Sequence, residues 1–143
     1  MSGVARGPAV RRLLESALYC DDLPRTAAFY RDVLGLRELF TDDRLVALDA
    51  GEGTVLLLFR RGAAAAGADT PSGRIPPHDG AGPLHLALAV DQAALPILEE
   101  RLRAYGVGVE SRVQWPRGGT SVYCRDPEGH SLELATPGVW RTY

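Results

Sequence analysis

The chain is poor in several things at once, and each shortage removes a class of function. Aromatic residues make up only 7% of the 143 residues, too few for a groove lined throughout by rings. There are two cysteines, Cys20 and Cys124, with no Cys-x-x-Cys spacing and no disulfide framework. Each sits inside an apolar strand pattern, where a buried free thiol is expected. The net charge is −2, so nothing electrostatic favours nucleic acid. No apolar run approaches the roughly 20 residues that span a bilayer. The start, residues 1–12, has basic residues but no apolar stretch of signal-peptide length, and reads as a short frayed tail on a cytoplasmic protein. No glycine pattern resembles a phosphate-binding or dinucleotide loop. No serine sits in a G-x-S-x-G elbow.

What is present is a repeat. Leu14-Glu15-Ser16-Ala17-Leu18-Tyr19-Cys20-Asp21 lies over Leu84-His85-Leu86-Ala87-Leu88-Ala89-Val90-Asp91. Glu52-Gly53-Thr54-Val55-Leu56-Leu57-Leu58 lies over Glu128-Gly129-His130-Ser131-Leu132-Glu133-Leu134. Two similar modules packed as one body are implied. The pattern predicts a strand over 13–20, a helix over 24–34 opened by Asp21-Asp22-Leu23-Pro24 and closed by Gly35, and strands over 36–40, 45–49 and 54–59. The order returns as a strand over 84–90, a helix over 93–105, and strands over 107–112, 119–125 and 131–135. The fold class is therefore α+β, with two βαβββ modules over about 13–60 and 84–136. Leu56, Leu58, Leu86, Leu88, Leu132 and Leu134 are expected between sheet and helices. Residues 61–83 are rich in Gly and Pro, lose all periodicity, and read as a structureless linker bordering a cleft. The last residues, 139–143, form a tail whose Trp140 and Tyr143 are placed to cover an edge.

Strand alternation singles out the chemistry. Glu15 shares a face with Ala17 and Tyr19. His85 shares one with Ala87 and Ala89. Glu133 shares one with Ser131 and Ala135. Each such face carries one ionisable group beside small residues, as in a cupped sheet with a ligand in its hollow. Four equivalent places hold Glu15, His85, Leu57 and Glu133, and three of these can bind a metal. Two inward carboxylates are costly without a counter-ion, and a divalent cation with His85 as third donor relieves the cost. The plainer alternative is a wet cleft in which His85 hydrogen-bonds to a carboxylate. On the seventh strand Ser121, Tyr123 and Arg125 share a face. His78 and Asp79 lie in the linker, within reach of a site. Trp115-Pro116-Arg117-Gly118-Gly119 is a candidate rim contact for an anion. His130, in a turn, reads as structural.

The runs Ala17-Leu18-Tyr19-Cys20-Asp21-Asp22-Leu23, Phe29-Tyr30-Arg31-Asp32-Val33-Leu34-Gly35-Leu36 and Asp126-Pro127-Glu128-Gly129-His130-Ser131-Leu132-Glu133-Leu134 resemble the glyoxalase/bleomycin-resistance/extradiol-dioxygenase, or vicinal oxygen chelate, superfamily. The resemblance spans about residues 13–138. It implies paired modules in an open cupped barrel, usually a homodimer. It implies metal ligands Glu15, His85 and Glu133, with Glu15 and Glu133 also candidate catalytic bases. By resemblance to the fosfomycin-resistance branch, Ser121 and Tyr123 line a substrate pocket; His78 is a further candidate substrate contact. The chain departs from the family at Glu15, commonly histidine, and at Leu57, often a carboxylate in glyoxalase I. The second departure argues against a four-protein-ligand site. One histidine and two carboxylates suit Fe²⁺, Mn²⁺, Zn²⁺ or Mg²⁺ without choosing among them. The expected function is a metal-dependent dioxygenase, lyase or isomerase on a small oxygenated molecule. The alternative is a metal-free drug-sequestering protein of bleomycin-resistance type.

Overall fold

The computed structural model describes residues 7–143. The first half of the expected N-terminal tail, residues 1–6, lies outside them. Two four-stranded sheets carry the architecture. The first holds β1 (Glu15–Cys20), β2 (Arg37–Thr41), β3 (Leu45–Asp49) and β4 (Val55–Arg60) in the order β1-β4-β3-β2. The second holds β7 (His85–Ala89), β8 (Ser111–Gln114), β9 (Thr120–Arg125) and β10 (Ser131–Ala135) in the order β7-β10-β9-β8. In each sheet the module's first and last strands pair in parallel and the remaining pairs are antiparallel. The repeat read in sequence is a repeat in register: Ala17 faces Leu57 across the first parallel pair, and Ala87 faces Glu133 across the second.

The first helix is not a single α-helix over 24–34. It is an α-helix α1 (Leu23–Ala28) that widens into a π-helical turn (Phe29–Val33). Asp22 caps α1, its side chain accepting from Arg25 N at 3.2 Å, and Pro24 fits the first turn. In the wider turn Phe29, Tyr30 and Val33 are all buried. Gly35 then leaves the helix at φ 76°, with its N–H on Arg31 O. α2 (Leu95–Ala104) starts with Pro96 in its first turn and buries Leu95 and Leu102. Strand β8 begins at Ser111 and not at 107; Val107 instead sends its N–H to Leu102 O to close the helix.

One hydrophobic core serves both modules. Leu18, Cys20, Val46, Leu48, Leu56 and Leu58 of the first sheet join Val122, Cys124, Leu132 and Leu134 of the second around Tyr30, Leu95 and Leu102. Leu56, Leu58, Leu132 and Leu134 are buried as expected, while Leu86 and Leu88 are only half-buried. They lie on β7, the edge of its sheet, where no strand covers the outer flank. Both cysteines are buried free thiols.

The turn 126–130 bolts the modules together. Asp126 accepts from Glu128 N and His130 N with one carboxylate oxygen and from Tyr30 Oη, at 2.8 Å, with the other. Glu128 Oε1 accepts from Asp22 N at 2.8 Å. His130 is buried, and its Nδ1 accepts from Leu84 N at 2.9 Å. Its proton therefore sits on Nε2, which donates to Tyr19 O at 2.8 Å. The structural reading of His130 is what this geometry displays.

The linker is not structureless. Residues 61–83 contain a short hairpin, β5 (Ala68–Thr70) and β6 (Gly73–Ile75), then a strap that returns to the first sheet. Arg61 fixes the strap by an ion pair to Asp21 at 2.9 Å and a bond to Gly80 O at 2.6 Å. Asp79 accepts from Gly62 N, and His78 N donates to Ala64 O. Among the described residues no helix is long and apolar enough to cross a membrane.

Candidate functional site

The faces of the sheets turned away from the helices carry the polar residues. On the second sheet, His85 and Glu133 are diagonal neighbours across the parallel pair β7/β10. His85 Nδ1 lies 2.9 Å from Ser131 O. A carbonyl only accepts, so Nδ1 carries the proton and Nε2 is free to bind. That Nε2 faces Glu133 Oε1 at 3.5 Å. Glu133 is buried, with only 7% of its surface exposed. Its other oxygen, Oε2, accepts from Ser121 Oγ at 2.5 Å. Ser121 is itself fully buried and accepts the indole N–H of Trp115 at 2.7 Å. An imidazole nitrogen and a carboxylate oxygen thus point at one another. A cation between them, a proton or a metal ion, would satisfy both.

Tyr123 stands beside this pair, its ring 6.4 Å from that of His85 and nearly parallel to it. Burial, then the charge of Glu133, holds its phenol above the ordinary tyrosine value, so it is a neutral O–H at physiological pH. Ser121 is behind Glu133 and its hydroxyl proton is committed there, whereas Tyr123 is half-exposed beside the pair.

Glu15 is not brought to this pair within one chain. It opens β1 on the other sheet and is exposed. Among the described residues no group of three His, Cys, Asp or Glu side chains gathers closely enough to hold one ion. Of the three expected ligands, the structure brings His85 and Glu133 together and leaves Glu15 on the other sheet of the same chain. The reason is that the two sheets share their helix-side core, so their open faces do not close on each other. Glu15 nonetheless occupies, in the first sheet, the place His85 occupies in the second, with Leu57 in the place of Glu133.

His78 is placed on the first sheet's open face, not beside His85. Its Nδ1 lies 2.7 Å from Tyr19 Oη, and its ring meets Phe59 edge-on at 4.8 Å. Gly80 abuts the Tyr19 ring so closely that a Cβ there would lie 2.4 Å from it. Tyr19 shares the strand face of Glu15. Burial and then the charge of Asp79 hold its phenol above the usual value.

The fold and the motifs find their counterpart among known proteins. The model of the Glyoxalase/Bleomycin resistance protein/Dioxygenase superfamily matches residues 12–134. The chain belongs to this superfamily. It is 30% identical to a lactoylglutathione lyase of Salmonella typhimurium over 135 aligned residues, covering 86% of this chain and 90% of that protein. A solved lactoylglutathione lyase from Agrobacterium tumefaciens superposes with a TM-score of 0.82 at 36% identity, covering 94% of this chain and 99% of the other. A shorter match, 37% over 57 residues, links the chain to the metallothiol transferase FosB of Bacillus licheniformis, covering 39% of this chain and 37% of that protein. The superfamily's open cupped architecture is the one described above.

Two participants were not assigned to the site from sequence. In sequence Trp115 reads as a rim contact, although it continues the alternation of Ser111 and Val113, and Val113 pairs with Ser121. That alternation was the available signal. The carbonyl of Ser131, which orients His85, is backbone and leaves no trace in residue type.

Proposed function

We propose that the protein is a metal-dependent enzyme of the lyase or thiol-transfer kind acting on a small oxygenated molecule. His85 and Glu133 of one copy and Glu15 of a second copy would hold one divalent ion. The carrying observation is the facing pair of His85 Nε2 and Glu133 Oε1. Each is oriented from behind, by Ser131 O and by Ser121 Oγ. Donors held this way by outer partners are typical of metal ligands. A divalent ion bound there supplies Lewis acidity toward two oxygens of a substrate.

The chain's own groups have separable tasks. Ser121 keeps Glu133 an acceptor. Glu133 Oε1 or Glu15 is placed to take a proton from a carbon next to a substrate carbonyl. Tyr123 offers a neutral O–H at the rim. Leu57 leaves the first sheet one donor short, so at least one position stays open to water or substrate. Likeness to lactoylglutathione lyases makes lactoylglutathione and related thiol adducts of small oxygenated acids the first substrates to try. Iron in the purified protein would instead favour oxygen chemistry.

A homodimer follows from the same reading, because Glu15 needs a partner face. Strand β2 is an edge exposed along its whole length, with Leu39 and Phe40 turned to solvent, and such edges favour association. Buried free thiols accord with a reducing, cytoplasmic setting.

The test is elemental analysis of protein purified without added metal, together with light scattering and an assay on lactoylglutathione. About one divalent ion per chain in a dimer supports the proposal. A metal-free protein that refuses Zn²⁺, Mn²⁺, Co²⁺ and Fe²⁺ in titration defeats it, and sequestration of a drug-like molecule then takes its place.

A further inference from the structure

The chain of hydrogen bonds behind Glu133 runs one way, from a donor-only indole at one end to an accepting carboxylate at the other. An indole nitrogen can only donate. Trp115 Nε1 donates to Ser121 Oγ at 2.7 Å. Ser121 has one hydroxyl proton, and it goes to Glu133 Oε2 at 2.5 Å. Without Trp115 the serine oxygen loses the donor that holds it in place, and the hydroxyl can swing to another rotamer and carry its bond to the carboxylate with it. With Trp115 in place, Glu133 receives a donor on one oxygen and presents the other, Oε1, to His85 Nε2.

The indole is itself held. Trp115 N donates to Gly119 O, and Gly118 N donates back to Trp115 O, closing the turn between β8 and β9. Gly119 is wedged against Gly138: a Cβ at Gly119 would lie 2.6 Å from the Gly138 carbonyl carbon. Gly119 N also donates to Gly138 O. The support therefore runs from the segment after β10, through a tight turn, into the indole, and through Ser121 to the carboxylate.

We infer that Trp115 is a positioning residue: acting through Ser121, it aims the Glu133 carboxylate at the position shared with His85. This rests on the reading of Glu133 as a metal ligand, but the aiming itself is a property of the metal-free protein.

Three variants in the full-length protein test it: Trp115→Phe, which keeps a ring and loses the N–H, Ser121→Ala, and the double variant. Co²⁺ is the probe, because its visible spectrum reports affinity and ligand arrangement together. Trp115→Phe is expected to weaken Co²⁺ binding by about 10-fold or more and to alter the spectrum. Ser121→Ala should do the same. The double variant should bind no worse than Ser121→Ala alone, since the indole acts only through the hydroxyl. Unchanged binding and spectrum in Trp115→Phe, or losses that multiply in the double variant, overturn the inference. A crystal structure of metal-free Trp115→Phe decides it independently. Glu133 turned away from His85, or spread over several rotamers, supports it; Glu133 unmoved overturns it. If the wild type takes no Co²⁺, the metal reading fails while this crystal structure still judges the aiming.

Discussion

The two sheets hold equivalent positions in equivalent register, yet those positions are furnished differently. In the second, His85 and Glu133 face each other at 3.5 Å and each is held from behind. In the first, the same diagonal is Glu15 and Leu57. Glu15 is exposed there, while Glu133 is buried. Duplication has fixed where donors stand, and substitution has decided which half supplies them. In the proposed site the second sheet, the well-equipped half, would contribute two oriented donors and the first sheet, the lean half, one, from a neighbouring copy.

Exchanging His85 for Ala breaks the equipped half. Metal content by elemental analysis should drop to background and activity with it. The circular dichroism should stay as in the wild type, because 52% of the imidazole side chain is exposed. Exchanging Glu15 for Ala tests the lean half. Affinity for Mn²⁺ by calorimetry should fall by roughly tenfold with the oligomeric state unchanged; an unchanged affinity would remove Glu15 from the proposed site. The opposite change, Leu57→Glu, should strengthen binding by restoring a fourth donor.

The link between the halves is open to the same treatment. His130→Ala leaves Leu84 N and Tyr19 O without their buried partner and opens a cavity. A loss of about 2–4 kcal/mol is expected, read as a lower urea midpoint. A stability within experimental error of the wild type would show that the turn 126–130 holds without its imidazole.

The smallest effect concerns the thiols, one in each module. Burial, then the charge of Glu128, pushes Cys20 up to about 12. Burial, then Asp126, pushes Cys124 up to about 11. In the unfolded chain both lose their protons near 9.0. Above that pH the unfolded chain binds fewer protons than the folded one, so this contribution to stability is complete below pH 9 and fades as pH rises toward 11–12. Urea midpoints should fall from pH 8 to pH 10.5, and less steeply in Cys20→Ala.

Much of this was legible in the sequence, because period and repeat are local signals. The alternation of Leu132 and Leu134 against Glu133 placed that carboxylate on the open face correctly. Asp22-Leu23-Pro24 announced a helix start. The strand patterns around residues 15 and 85 gave both modules. The remainder depends on packing between distant segments. Within the π-helical turn Tyr30 reaches Asp126, a contact across most of the chain. The hairpin in the linker is short, its strands Ala-Asp-Thr and Gly-Arg-Ile holding one large apolar residue between them, so no apolar rhythm marked it. The separation of Glu15 from His85 is a matter of which sheet faces meet, and side-chain period says nothing about that.

The close approach of Gly119 to Gly138 has a practical side for anyone handling the protein. A purification tag fused after residue 143, or a truncation that trims the last turn, acts on the far end of the support beneath Glu133. If the proposed function holds, such a sample would fold, pass every check of mass and helicity, and still bind a metal ion loosely at His85 and Glu133. Preparations for metal analysis are better tagged ahead of the first strand.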